Sequence, residues 1–199
     1  IQNLKEDHWK PIKSNEIIKI IGDCSGLYLE AVAENQQATR GTNLKVKLEA
    51  INRSAVPMEI TSIKTNENAA VLPEPLALKN NISNSLTIDM PLSQNTDFTQ
   101  PYKLKEKATV GMYVVNEQTI IGTPDVIRQI KVTFNIVINN TTFPFERTVI
   151  YKYNDRVKGE VYNPFDVVRD VTTSFLESVV IFNGDKTKTI GIKIKSGKD

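Results

Sequence analysis

Residues 130–153 read IKVTFNIVINNTTFPFERTVIYKY, and this stretch decides the fold class. Ile130, Val132, Phe134, Ile136 and Ile138 occupy alternate positions, so all five share one face of an extended chain. Asn139 and Asn140 read as a turn, and Phe143, Phe145, Val149, Tyr151 and Tyr153 read as the returning strand. The pair is expected to be a hairpin carrying much of the core. Arg147 interrupts the apolar return face and is expected to be a β-bulge or a snorkelling side chain rather than a buried functional arginine.

The same period of two extends outward in both directions. Leu44, Val46, Leu48 and Ala50 alternate with Lys45, Lys47 and Glu49, which predicts a half-buried strand with one wet face. Tyr28 to Glu34, Met58 to Lys64 and Val110 to Val115 are further strand candidates. Leu86, Ile88, Met90 and Leu92 alternate as well, but Pro91 confines that strand to an edge or an end. Residues 66–84 are Asn-rich and carry Pro73 and Pro75, while Thr123-Pro124-Asp125 punctuates the chain again. After Asn163-Pro164, the run Val167 to Phe182, the turn signal Asn183-Gly184-Asp185 and the strand Lys188 to Lys195 predict a terminal hairpin.

Before residue 35 the period changes. Residues 1–13 read as an irregular lead-in, and Ser14 reads as the N-cap of a helix. Ile17, Ile20, Ile21, Cys24 and Leu27 form its packed stripe, and Gly26 is its stop. The expected architecture is mainly β: an immunoglobulin-like antiparallel β-sandwich with one N-terminal helix and a C-terminal β-hairpin. The expected division is a lead-in and helix at 1–35, a sandwich at 36–162, and a terminal hairpin or truncated second β domain at 163–199.

The chain has 199 residues with 25 Lys plus Arg and 23 Asp plus Glu, a formal net charge of +2. Residues 1–100 hold 10 basic and 12 acidic groups, and residues 101–199 hold 15 and 11. Neither half carries the field that nucleic acid or a membrane surface calls for. No run approaches 18 apolar residues, so no transmembrane helix is expected. The chain begins at Ile1, which reads as an excised or processed piece.

Chemistry-bearing residues are sparse. One histidine, His8, and one cysteine, Cys24, exclude a His cluster, an internal disulfide and a Cys-rich metal site. His8 reads as a surface or packed structural residue, and Cys24 as a buried small hydrophobe. Asp155 with Glu160 and Asp166 with Asp170 are acid pairs of the kind glycoside hydrolysis uses. Asp155, Arg156, Lys158 and Glu160 alternate in charge and read as a solvated turn. No EF-hand spacing supports calcium, and no Gly-rich phosphate cradle is present. Tyr102, Tyr113, Tyr151, Tyr153 and Tyr162 pack the fold or, if they converge on one exposed face, stack on sugar rings. Sequons at Asn52, Asn81, Asn139 and Asn140 reflect turn chemistry, and glycosylation is not expected.

Several stretches taken in order resemble one family. They are Cys24-Ser25-Gly26-Leu27-Tyr28-Leu29-Glu30-Ala31, then Asn52-Arg53-Ser54, Tyr102-Lys103-Leu104, Gly111-Met112-Tyr113 and Ile121-Gly122-Thr123-Pro124. Tyr151-Lys152 and Asp155-Arg156-Val157-Lys158-Gly159-Glu160-Val161-Tyr162 complete the series. Together they resemble the region that follows the catalytic domain in long LmbE/PIG-L-type deacetylases of Bacteroidetes. The catalytic domain of that family uses a His-Pro-Asp-Asp-type zinc motif on N-acetylglucosamine-like substrates, whereas His8 is followed here by Trp9. The resemblance therefore implies no catalytic, cofactor-binding or metal residue and no cofactor in this chain. It implies a non-enzymatic accessory or scaffold module in the periplasm or at the cell surface. The implied partners are adjacent domains of the parent protein, such as a PIG-L-like hydrolase domain; the alternative is a carbohydrate-binding module for GlcNAc-containing or other glycans.

Overall fold

The structure is a computed structural model and describes residues 8–66, 72, 74–123, 126–184 and 186–197. Residues 1–7, Pro73, Pro124, Asp125 and Asp185, which entered the expectations above, lie outside the described residues. The elements in chain order are α1 (Trp9–Cys24), β1 (Leu27–Ala33), β2 (Gln37–Thr39), β3 (Asn43–Asn52), β4 (Met58–Thr65), β5 (Leu76–Leu78) and β6 (Ser83–Pro91). They continue as β7 (Lys131–Ile138), β8 (Thr141–Thr148), β9 (Ile150–Asp155), β10 (Gly159–Pro164), β11 (Asp166–Val168), β12 (Val171–Phe175) and β13 (Ile192–Ser196). The fold is mainly β, with one N-terminal α-helix and several sheets and hairpins.

The chain forms two compact units that interleave in sequence. The first is Ile1–Gln36, Asn43–Pro91 and Arg128–Phe165, and the second is Gln37–Thr42, Leu92–Ile127 and Asp166–Asp199. The division expected at residues 1–35, 36–162 and 163–199 is contiguous; the compact units are not.

The first unit contains a five-stranded sheet, β10-β9-β1-β3-β6, and a four-stranded sheet, β5-β4-β7-β8. In β3, Leu44, Val46, Leu48 and Ala50 are buried while Asn43, Lys45 and Lys47 are exposed, as the alternation requires. In β7, Val132, Phe134, Ile136 and Ile138 are buried, each worth about 1.5–3 kcal/mol of apolar burial. Pro91 ends β6, the edge strand of its sheet, where a missing N–H breaks no central ladder.

Three expectations are corrected in the first unit. The return strand is two strands: β8 pairs with β7, then the buried Val149 donates its N–H to the Ile130 carbonyl at 3.0 Å, and β9 continues in the other sheet. Arg147 is not a bulge, since it sits in unbroken register opposite Val132; the irregularity lies in β4 between Ile60 and Ser62. Arg147 instead donates from Nε to the Leu29 carbonyl of β1 at 3.1 Å, tying one sheet to the other. Nor is the pairing wholly antiparallel. β1 runs parallel to β9 (Val32↔Ile150, Ala33↔Tyr151), and in the second unit β2 runs parallel to β11. A period of two is the same in both senses of pairing, so side-chain alternation carries no direction.

The helix also departs from its reading. It begins at Trp9, with His8 rather than Ser14 at the N-cap. Pro11 is tolerated because first-turn N–H groups have no intrahelical acceptor. Of the expected stripe, Ile17, Ile20 and Cys24 are exposed, Ile21 is half-buried, and the buried Leu27 belongs to β1; the face that packs is marked by the buried Gly22. A Cβ on Gly22 would stand 2.9 Å from Cε1 of Phe145, a buried ring of β8. The glycine is therefore a docking notch. Gly22→Ala improves intrinsic helicity by about 1 kcal/mol, yet it should lose about 1–3 kcal/mol overall through overpacking. Faster amide exchange across residues 9–24 in the variant is the check.

In the second unit β2 pairs with β11, and β12 pairs with β13 in antiparallel register from Val171↔Ser196 to Phe175↔Ile192. That register centres on Asn183-Gly184, and Gly184 has φ +69°, so the predicted turn lies at the middle of the hairpin. The ladder stops well short of it, however. Val110 to Val115 is not a strand: only an isolated bridge joins Thr109 and Met112, and Val110, Met112 and Tyr113 are exposed. An alternating run without a neighbouring strand has nothing to pair with.

Candidate functional site

His8 is exposed at the helix N-terminus, with its ring edge-on to Trp9 at 5.4 Å. Cys24, expected to be buried, is exposed, because the helix turns its Gly22 face inward. Among the described residues, no three His, Cys, Asp or Glu side chains gather closely enough to hold a metal ion. Asp155 and Glu160 have different partners. The Asp155 carboxylate accepts the N–H groups of Val157 and Lys158, each at 2.8 Å, and these bonds hold it below the usual carboxylate range. Asp166 begins β11, and Asp170 accepts the Gly197 N–H through its backbone carbonyl at 2.8 Å.

The tyrosines of the first unit do not form one row. Tyr151 and Tyr153 share a face of β9, with ring centroids 6.0 Å apart and planes inclined at 29°. Tyr162 sits opposite Lys152 in the ladder, which places it on the other face of the sheet. Tyr102 and Tyr113 belong to the second unit, where the Tyr102 hydroxyl accepts the Gly122 N–H at 3.2 Å.

Tyr162 belongs instead to a charged cluster that sequence reading did not assemble. Glu30, buried in β1, accepts a 2.7 Å salt bridge from Lys152 of β9, and Glu160 of β10 lies 3.6 Å from the same ammonium. Tyr162 donates to Glu160 at 2.8 Å, and the Lys152 ammonium lies 5.6 Å from its ring centre. Arg53 stacks over Tyr28 at 4.7 Å. Burial, and then the neighbouring Glu30 carboxylate, push the Tyr28 phenol up to about 12. The hydrogen bond to Glu30 raises Lys152 above its ordinary range. Both shifts favour the protonated form. Glu30 and Lys152 are 122 residues apart, and only the parallel pairing of β1 with β9 brings them together.

The sequon at Asn52 is a structural device. Asn52 is 2% exposed; its amide donates to the carbonyls of Val56 at 2.8 Å and Leu78 at 3.2 Å. Its Oδ1 accepts from the Ser54 N–H and hydroxyl, both at 2.9 Å. Asn81, Asn139 and Asn140 all have positive φ, which is the turn chemistry expected of them.

The terminal ribbon of the second unit carries an exposed apolar face. Val171, Thr173 and Phe175 of β12 share one face with Ile192 and Ile194 of β13, while Thr172, Ser174, Lys193 and Lys195 share the other. Val171 is 55% exposed, Phe175 68%, Ile192 59% and Ile194 70%. Among the described residues of this amphipathic ribbon, the apolar side is more than half exposed at each of these four positions.

No known protein family matches this sequence, and no curated protein matches it. Among solved structures, the chain has a likeness to the alkylpurine DNA glycosylase AlkC of Pseudomonas fluorescens bound to DNA containing an abasic site analog. Identity is 8% and the TM-score 0.25, over 66% of this chain. The match spans 32% of the glycosylase chain, about a third of its length.

Proposed function

We propose that this chain is a non-enzymatic accessory module, built on an immunoglobulin-like sandwich, that acts by packing against a neighbouring protein domain. The uncovered apolar face of the β12–β13 ribbon carries this reading. A two-stranded ribbon is marginal in water, and a contiguous exposed apolar patch on such an element marks an interaction surface. Support for the sandwich comes from a cavity of about 630 Å³ whose lining includes Leu48 and Leu86 of one sheet and Ile60, Ile63 and Phe134 of the other. Protons held firmly on Tyr28 and Lys152 support a structural rather than a catalytic use of the charged cluster. The sequence resemblance names the setting: a cell-envelope protein whose partner is a PIG-L-type deacetylase domain.

The alternative, a glycan-binding module, rests on the Tyr151–Tyr153 pair, whose similarly inclined rings offer a sugar a short platform. One calorimetric comparison separates the two. The whole chain is titrated with a PIG-L-type deacetylase domain and, in parallel, with GlcNAc oligosaccharides. Binding to the domain that weakens at least tenfold in Phe175→Ser/Ile194→Thr supports the packing role. Glycan binding that survives those changes and is lost in Tyr153→Ala, with no domain binding, overturns it.

A further inference from the structure

Arg40 and Arg169 directly follow the parallel pair β2–β11, in which Thr39 sits opposite Val168. They lie just past the last pair of that ladder, and both guanidinium groups reach one ring. The Arg40 Cζ lies 3.6 Å from the centre of Phe98, and the Arg169 Cζ lies 4.9 Å from it. The ring is held in place by its neighbour: the Thr99 N–H donates to the Val167 carbonyl at 2.9 Å, and the Val167 N–H donates to the Thr99 hydroxyl at 2.8 Å. All of these residues belong to the second unit.

Two like charges gathered on one ring repel each other. Among the described residues, neither guanidinium has a carboxylate oxygen within 4.0 Å. Asp97, next to the ring, holds Lys105 at 2.7 Å. The Arg40 Nε is buried and has no hydrogen-bond partner. A guanidinium presents five N–H donors in a planar fork, and stacking on an aromatic ring leaves its in-plane donors available. Phe98 orients the two cations and satisfies none of those donors. An oxyanion would do both missing jobs, cancelling the repulsion and accepting the fork.

We infer that Arg40, Arg169 and Phe98 form a binding site for an oxyanion, the carboxylate or phosphate group of an acidic ligand. The test uses the whole chain, with the side-chain Nε–H resonances of Arg40 and Arg169 followed by NMR. Inorganic phosphate and acetate are titrated separately, each against sodium chloride at equal ionic strength. The expected result is a saturable shift of both resonances by phosphate, acetate or both, and the stronger of the two identifies the ligand class. Arg169→Gln weakens that binding at least tenfold. Phe98→Leu, which changes no charge, weakens it severalfold, and Lys188→Gln leaves it unchanged. Shifts that never saturate, or that chloride reproduces, overturn the inference, as does saturable binding that survives Arg169→Gln. Should Arg40→Gln fail to fold, Arg169→Gln and Phe98→Leu still decide.

Discussion

Replacing Asn52 with alanine lowers the free energy of unfolding by about 3 kcal/mol, read as an earlier urea midpoint at unchanged slope. The side chain is buried and makes four polar contacts, two donated by its amide and two accepted by its carbonyl oxygen. Its backbone carbonyl also accepts the Asn81 N–H at 2.7 Å, so the 52–56 turn and the 78–81 turn meet at this one residue. Alanine leaves the carbonyls of Val56 and Leu78 without this donor; the Leu78 bond is buried, and a buried orphan costs about 1–3 kcal/mol. Aspartate is nearly isosteric but has no amide to donate and brings a charge, so Asn52→Asp is expected to be at least as damaging. Ser54→Ala removes one contact and costs about 1 kcal/mol. An alanine variant within 0.5 kcal/mol of the parent would remove the role assigned to Asn52.

Lys152→Met is the second large effect, a loss of about 3 kcal/mol. The Glu30 side chain is 8% exposed and its partner's is 21% exposed, so the carboxylate left behind has little water to turn to. Glu30→Gln/Lys152→Met removes the stranded charge and should recover most of the loss, a coupling that a double-mutant cycle measures. The same cluster sets an alkaline limit. Tyr28 titrates at about 12 in the folded chain against 10.0 as its ordinary value, and Lys152 is likewise raised. Above pH 10 the unfolded chain therefore releases protons that the folded chain keeps. Their contribution is complete below that point and is lost as pH rises through the folded values. Tyr28→Phe should flatten the part of the decline that lies between 10 and 12.

Strand positions were legible wherever a wet face alternates with a dry one. β3, β4 and β7 are examples, and Pro91 correctly marked an edge. Three kinds of information were not legible. Alternation does not record pairing direction, so the parallel β1–β9 contact, and with it the Glu30–Lys152 pair, had no sequence signal. It does not record which sheet a strand joins either, so the break at Val149 was hidden within one continuous apolar period. Apolar spacing on a helix does not rank competing faces. The Gly22 face docked because it admits the Phe145 ring, and Ile17, Ile20 and Cys24 of the expected stripe face outward. The Arg40–Phe98–Arg169 group brings together three residues with no common motif, from segments joined by the β2–β11 ladder and by the Thr99–Val167 hydrogen bonds.

The parallel contact between Val32 and Ile150 has a consequence for biosynthesis. On a translating ribosome, β1 can zip onto β3 soon after both emerge, but its opposite edge stays open until residue 150 clears the exit tunnel. Throughout that interval Glu30 waits without Lys152, and the Leu29 carbonyl waits without Arg147. Contacts this distant along the chain form slowly. The nascent protein therefore depends on a late-arriving segment to seal an edge that other chains could otherwise invade.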